Sequence, residues 1–296
     1  MPPMNEIKIN NRSEGVRSVA LETTLLAHGV PSDTAIPLAQ KLDAIVRAED
    51  AEPAVIGVVN GTPTAGMDTD ELQALLDAQD VPKVNTANLG LIMQSGRHGA
   101  TTVSTTMEIA AAAGIAVFAT GGIGGVHREY GSHLDVSADL AALARFPVAV
   151  VTSGVKSLLD VVATREALET LGVPVVGYRT DRFPAFYIRE SDAGVDARID
   201  DPDTLAKFVR FELNRTGRGI VIANPVPEAD EIPEARFAIW LDQAMCEAQE
   251  QGVAGRDVTP FALARLHELS AGETLRSNLA LVKSNAALAA QVASRL

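Results

Sequence analysis

Lys156 closes the segment VAVVTSGVK, residues 148–156, where an all-apolar run meets small residues that let the backbone turn. Such a run reads as a strand buried on both faces. Its end would lie at the carboxyl edge of a sheet, where ligands bind in open α/β folds. Ser157 is a candidate cap for the helical stripe of Leu158, Leu159 and Val162. Lysine is scarce: Lys8, Lys41, Lys83, Lys156, Lys207 and Lys283 are the full set among 25 Lys and Arg. A chain that uses arginine for surface charge and keeps lysine at a strand end offers an amine able to lose its proton. The plainer use is a lysine whose stem packs while its head reaches water.

Four other segments put polar groups at strand ends. In ALETTLLAHGVP, Glu22 follows an apolar run and precedes two threonines. It is either a structural partner or a general acid raised by apolar surroundings. Lys83 sits in the short apolar VPKVN. In GRHGATTVSTTM, Thr101 and Thr102 at a helix start offer hydroxyls and backbone N–H groups to an anion, with N-capping as the commoner use. In FATGGIGGVHREYGSHLDVSAD, Gly121, Gly122, Gly124 and Gly125 permit close approach of backbone to a ligand. Asp135 could hold a hard divalent cation, while Ser137 and Asp139 could be an N-cap and a first-turn acid. Asn278, at the start of a late amphipathic helix, reads by default as a cap.

Several chemistries are excluded. His127 stands where a dinucleotide fingerprint needs glycine, no G-K-[ST] follows the glycine runs, and no G-x-S-x-G occurs. The five histidines show no metal-ligand spacing; His28 and His127 lie in glycine-flanked bends beside the candidate site. A net charge of −13 argues against nucleic acid, whose phosphates need a basic face. Cys246 is the single cysteine, so an internal disulfide is impossible, and its helical context suggests a packed thiol. No apolar run reaches membrane-spanning length and the start MPPMNEIKINNRSEG has no hydrophobic signal core, so a soluble cytoplasmic protein is expected.

The elements that must position these groups alternate regularly. Strand-like runs at 16–21, 54–60, VPKVN, IAVFAT, PVAVVTSG, VPVVGY and GIVIANPV are separated by amphipathic helical runs. Asp68 is a candidate cap, and Gly114 and Gly172 close two helices. SLLDVVATREALETLG reads as one helix, and AFYIRESDAGVDARIDD as an insertion with short antiparallel strands. The pattern predicts an α/β fold with a mostly parallel sheet flanked by helices, in one domain over 1–296, with 1–14 a flexible start.

Taken together, the segments ALETTLLAHGVP, HGATTVSTTMEIAA, VFATGGIGGVHR, LDVSADLAALA, VAVVTSGVKSLLD, VPVVGYRTD and SNLALVKSNAALAA resemble the pseudouridine-5′-phosphate glycosidase family and cover nearly the whole chain in family order. The resemblance implies a three-layer α/β/α sandwich, a homotrimer and a divalent metal, manganese or magnesium. It implies reversible cleavage of the C–C bond between ribose 5-phosphate and uracil through a lysine imine. On this resemblance the nucleophile falls on Lys156, the proton donor on Glu22 and the catalytic asparagine on Asn278. Substrate contacts fall on Lys83, Val103, Ser137, Ala138 and Asp139, and the metal on Asp135. The hydroxyls of the GATT segment, Thr102 among them, are candidates for the 5′-phosphate.

The sequence departs from the family at VNTANLG, 84–90, where members usually read like V-S-R-R-D-L-P, and at GTPTAGM, 61–67. Charged residues are thereby lost beside the pocket. An alternative expectation is therefore a C-glycosynthase that joins ribose 5-phosphate to another carbon acceptor, and a further one is a sugar-phosphate-binding protein without turnover.

Overall fold

A computed structural model describes residues 7–10, 17–128, 134–253 and 258–296. Its strands are β1 (Lys8–Ile9), β2 (Ser18–Glu22), β3 (Glu52–Val59), β4 (Thr62–Ala65), β5 (Lys83–Val84), β6 (Ala100–Thr101) and β7 (Val117–Ala119). They continue with β8 (Val126–His127), β9 (Ala149–Thr152), β10 (Leu159–Asp160), β11 (Val175–Tyr178), β12 (Ala197–Ile199) and β13 (Ile220–Ala223). The helices are α1 (Thr24–His28), α2 (Ser32–Arg47), α3 (Thr69–Asp77), α4 (Leu89–Ser95), α5 (Val103–Ala112) and α6 (Ala138–Arg145). They end with α7 (Val161–Thr170), α8 (Pro202–Thr216), α9 (Glu234–Glu250), α10 (Val258–Leu269) and α11 (Glu273–Ala293).

Nine strands form one sheet in the order β1-β4-β3-β2-β7-β9-β13-β11-β12. Pairings from β3 to β12 are all parallel. Ala20 pairs with Phe118, Phe118 with Val150, and Val150 with Val221 across the four central strands. Alternate residues serve opposite faces, as the strand period requires. Val19, Leu21, Val117, Ala119, Val151 and Ile222 pack with residues of α2, α8, α9, α10 and α11. Ala20, Phe118, Val150 and Val221 pack with residues of α5, α6 and α7. The result is the three-layer α/β/α arrangement expected. Phe118 is 0% exposed at its centre, and its truncation to alanine would cost about 3–5 kcal/mol. Helix α11 buries Ala286, Ala289, Ala290 and Ala293, whose small side chains suit close packing, and it lies on β2, β7 and β9.

Some local readings change. Ser157 does not cap a helix: its hydroxyl donates to Ala185 O at 3.1 Å. Leu159–Asp160 pairs antiparallel with β8, and α7 starts after it with the Asp160 carboxylate accepting from Ala163 N at 2.9 Å. In the segment expected to hold short antiparallel strands, the antiparallel pairing is limited to isolated bridges such as Ala185 with Ile188 and Arg182 with Gly194, while β12 joins the main sheet parallel to β11. β4, which has no counterpart among the strand-like runs of the sequence, turns back on β3 as a hairpin. Its turn residues, Asn60 and Gly61, both have positive φ (49° and 78°), the backbone that an Asn-Gly hairpin favours. Cys246 is exposed, not packed. Within the start expected to be flexible, Lys8–Ile9 forms an edge strand parallel to β4, and residues 1–6 and 11–14 lie outside the described residues.

Candidate active site

The central strands are apolar along their bodies and polar where they end. Glu22 ends β2, Thr120 follows β7, Thr152 ends β9 with Ser153 after it, and Asn224 follows β13. All five are buried. Buried polar groups are stable only when hydrogen-bonded, so this edge has a defined wiring.

Glu22 is the centre of that wiring. The Thr120 hydroxyl donates to its Oε1. Burial holds the Glu22 carboxyl above the usual carboxylate range; Lys156 opposes this most, then the Thr120 hydrogen bond and Lys83, while the Asp139 carboxylate adds to it. A carboxyl in this setting keeps its proton to higher pH than a free one and can donate it.

Lys156 stands in the turn between β9 and β10 rather than at a helix start. Its N–H donates to Ile123 O at 3.1 Å and its carbonyl accepts from Leu159 N at 2.9 Å. Gly154, at φ 84°, precedes it, and a Cβ there would lie 1.8 Å from Pro184 O, so only glycine fits. Val155 and Ser157 on either side are buried while Lys156 is exposed. The base of the side chain is fixed and its amine is accessible.

Lys83 lies on β5, and solvent reaches it. Burial of its stem, together with the Lys156 cation, nevertheless holds its amine below the ordinary lysine range, with Glu22 opposing. The two lysines and Glu22 therefore act on one another electrostatically. His28 is also placed beside Lys83: burial first, then Lys83, lowers its imidazole, and a hydrogen bond with the Val81 backbone opposes this.

The departing segment after Lys83 is wired to itself. The Asn85 carboxamide oxygen accepts from Ala87 N at 2.9 Å, and that of Asn88 accepts from Asn85 N at 2.9 Å. Asn88 Nδ2 donates to Lys83 O at 3.1 Å. These amides shape the backbone that carries Lys83.

Other candidates land differently from their first reading. Thr101 is fully buried and its hydroxyl donates to Ile56 O at 2.7 Å, so it is already spent. Thr102 precedes α5 without capping it; its hydroxyl lies 3.1 Å from that of Ser104. Val103 is wholly buried. Ser137 caps α6 by accepting from Asp139 N at 3.2 Å, and Ala138 is the first residue of that helix. Asp139 is buried and accepts from Ser104 N at 3.0 Å and Gly124 N at 2.8 Å. Its carboxylate thus sits at the N-terminus of α5, in the place first considered for a ligand anion. The glycine loop is filled by protein: a Cβ on Gly124 would lie 2.2 Å from Ser137 Oγ, and one on Gly122 would lie 2.4 Å from the Phe186 ring.

Asn278 is not a cap. The N-cap of α11 is Gly272, and Asn278 lies in the second turn, half-buried, with its carboxamide oxygen unpaired. Asp135 is exposed, and its carboxylate lies 3.6 Å from His127 Nε2. Among the described residues no group of three or more His, Cys, Asp or Glu could enclose a metal. One accessible carboxylate beside an imidazole fits a divalent cation that keeps most of its water, not one held in a protein cage. Sequence reading missed Thr120 and Asn285, whose type and strand-end or helix-face position are ordinary until the fold brings them behind Glu22.

Fold and edge together define an α/β/α protein with an acid and a lysine beyond the carboxyl ends of its parallel strands, and a second lysine on the separate two-stranded sheet of β5 and β6. The chain belongs to the family described as Indigoidine synthase A like protein, which matches residues 9–295. It is 50% identical over 283 residues to a pseudouridine-5′-phosphate glycosidase of Methylobacterium nodulans, covering 95% of this chain and 84% of that one. It is 47% identical over 280 residues to the enzyme of that name from Geobacillus kaustophilus, covering 94% and 93%. Among solved structures it is similar to the prealnumycin C-glycosynthase AlnA in complex with ribulose 5-phosphate, with TM-score 0.92, 33% identity and coverage of 99% and 98%.

Proposed function

We propose that the chain is a pseudouridine-5′-phosphate glycosidase working through a lysine imine. The observation that carries this is a buried, proton-retaining Glu22 that feels the charge of two lysines, Lys156 after β9 and Lys83 on β5. A C-glycoside leaves through carbon, which has no lone pair to protonate, so two carboxylates alone make a poor catalyst. The Lys156 amine attacks C1′ through its nitrogen lone pair, and the ring oxygen departs as a hydroxyl, taking the proton that the nitrogen loses on forming the new bond. Glu22 protonates C5 of the uracil. The C1′–C5 bond then breaks: its electrons restore the pyrimidine double bond, and the amine lone pair forms the C1′ iminium. Water adds to that iminium, ribose 5-phosphate leaves, and the proton freed from the amine returns to Glu22.

The remaining roles rest on the resemblance and on placement. Lys83 suits the phosphate or the sugar. Asn278 offers an unpaired carboxamide oxygen to a substrate donor. Thr102, Val103, Ser137, Ala138 and Asp139 would bound the sugar site, Asp139 by holding the glycine loop and the start of α5. Asp135 would hold manganese or magnesium, which when bound would supply charge and ordered water beside the phosphate. Homotrimeric assembly belongs to the same reading, and a phosphorylated sugar substrate fits the expected cytoplasmic placement.

The C-glycosynthase reading draws on the uncharged segment 85–88 and on the likeness to a C-glycosynthase. Assay of uracil release from pseudouridine 5′-phosphate with manganese separates the two. Turnover in the ordinary enzyme range of about 1–10³ s⁻¹ supports the glycosidase. Turnover far below that, with faster condensation of ribose 5-phosphate onto another ring, contradicts it.

A further inference from the structure

Behind Glu22 lies a second tier of buried polar groups that the reaction scheme does not use. Asn285 on α11 is 0% exposed. Its Nδ2 donates to Thr120 O at 2.8 Å and to Ser153 Oγ at 3.1 Å, and its Oδ1 accepts from Asn224 Nδ2 at 2.9 Å. Ser153 Oγ in turn donates to Asn224 O at 2.9 Å. One carboxamide therefore ties together the residues that follow β7, β9 and β13, three adjacent strands of the sheet. With both ends of the amide engaged, its orientation is fixed.

An alanine or leucine would pack a helix on a sheet without the desolvation cost of a buried amide. What the amide adds is direction, and the residue it directs is Thr120, whose hydroxyl donates to Glu22. Asn278 is seven residues earlier on α11, two turns away on the same helix face. The helix that carries the asparagine of the proposed site thus also braces the hydrogen-bond donor to the acid.

We propose that Asn285 is a positioning residue that holds Thr120 so that its hydroxyl orients the Glu22 carboxyl toward the substrate carbon. The proposal rests on Glu22 being the proton donor. Asn285 touches no substrate in this scheme; it acts through Thr120.

The groups whose charge Glu22 feels are Lys156 after β9, Lys83 on β5 and Asp139 on α6. All three are left in place by changes at Asn285 and Thr120. The Thr120 hydrogen bond favours the ionised carboxylate, so its loss moves Glu22 titration upward. Protonated Glu22 is the active form, so the alkaline limb of kcat/KM must then move to higher pH.

The test is the pH profile of kcat/KM for pseudouridine 5′-phosphate in wild type, Asn285→Ala, Thr120→Val and the double variant, with thermal denaturation on each. Asn285→Leu, nearly the same size and uncharged, replaces Asn285→Ala if that variant does not fold. The proposal expects kcat to fall about 10–10²-fold with KM little changed, as for a small misplacement of a reacting group. It expects both single variants to move the alkaline limb upward and the double variant to move it no further. Thr120→Ser, which keeps the hydroxyl, should keep the wild-type limb. Activity that merely tracks the folded fraction, with the limb unmoved in Asn285→Ala or Asn285→Leu, overturns the proposal. Glu22→Gln separates the two levels: if the limb persists there, Glu22 is not the acid, and that reading and this proposal both fall.

Discussion

The acid side and the amine side of this edge are built in opposite ways. Glu22 is buried, lies at the end of a regular strand, and is held by Thr120, which is held by Asn285. Lys156 and Lys83 are exposed and stand on a turn and a two-residue strand. The difference matches what the proposed reaction asks of each. A proton delivered to carbon needs a fixed direction and a carboxyl that stays protonated, which burial supplies. An amine that attacks, carries a sugar and releases it needs room and water, and only its base needs to be fixed.

The largest effect expected from this contrast is at Glu22. Glu22→Gln should lower turnover of pseudouridine 5′-phosphate by about 10²–10⁴-fold, the usual contribution of a positioned acid. The same change should stabilise the fold. The folded carboxyl retains its proton above the pH at which the unfolded one loses it. The contribution of this group to stability is therefore greatest at acid pH and falls as pH rises from the unfolded value through the folded one. Glu22→Gln removes that loss, so its melting temperature should exceed wild type at neutral pH and match it near pH 3. Lower stability at both pH values would mean that burial is not what raises this carboxyl.

A smaller effect is expected at the open rim. Asp135→Ala should lower activity and weaken its dependence on added manganese, measured after exhaustive chelation and readdition. Full activity of the chelated wild type would remove the metal from the account. The smallest effect is at the loop under Lys83. Asn88→Ala breaks its bonds to Asn85 N and Lys83 O, each worth about 0.5–1.5 kcal/mol, so KM should rise several-fold with kcat nearly unchanged. If restoring Arg-Arg-Asp-type residues at 85–88 instead raises turnover greatly, this segment reads the base, and its self-wiring is secondary.

The regions differ also in how legible they were. Strand bodies such as AVVT and IVIA announce themselves by composition, and the N-cap Ser137 and the Asp68 capping box follow local rules. Glu22 and Lys156 could be singled out because each breaks an apolar run, and the motif resemblance gave them roles. The bracing residues could not. Thr120 donates to Glu22 across 98 residues, and Asn285 reaches Thr120 across 165. No spacing rule spans such distances; only the sheet order joins them. The glycine loop misled for the same reason. Its glycines suited a ligand, yet the space is taken by Phe186, from the loop after β11, and by Ser137. Only Asn60-Gly61 signals the β4 hairpin in the sequence, because Thr62–Ala65 lacks the branched apolar residues of a strong strand.

The central claim is that the exposed amine of Lys156 carries the sugar. Borohydride added to the enzyme with ribose 5-phosphate should reduce the imine and leave one sugar-phosphate adduct, which peptide mass spectrometry should place on Lys156. Lys156→Ala should give no adduct and no turnover, and Lys156→Arg should fail equally, because guanidinium stays charged and forms no imine. An adduct on Lys83 in the wild type, or full turnover in Lys156→Ala, would contradict the account.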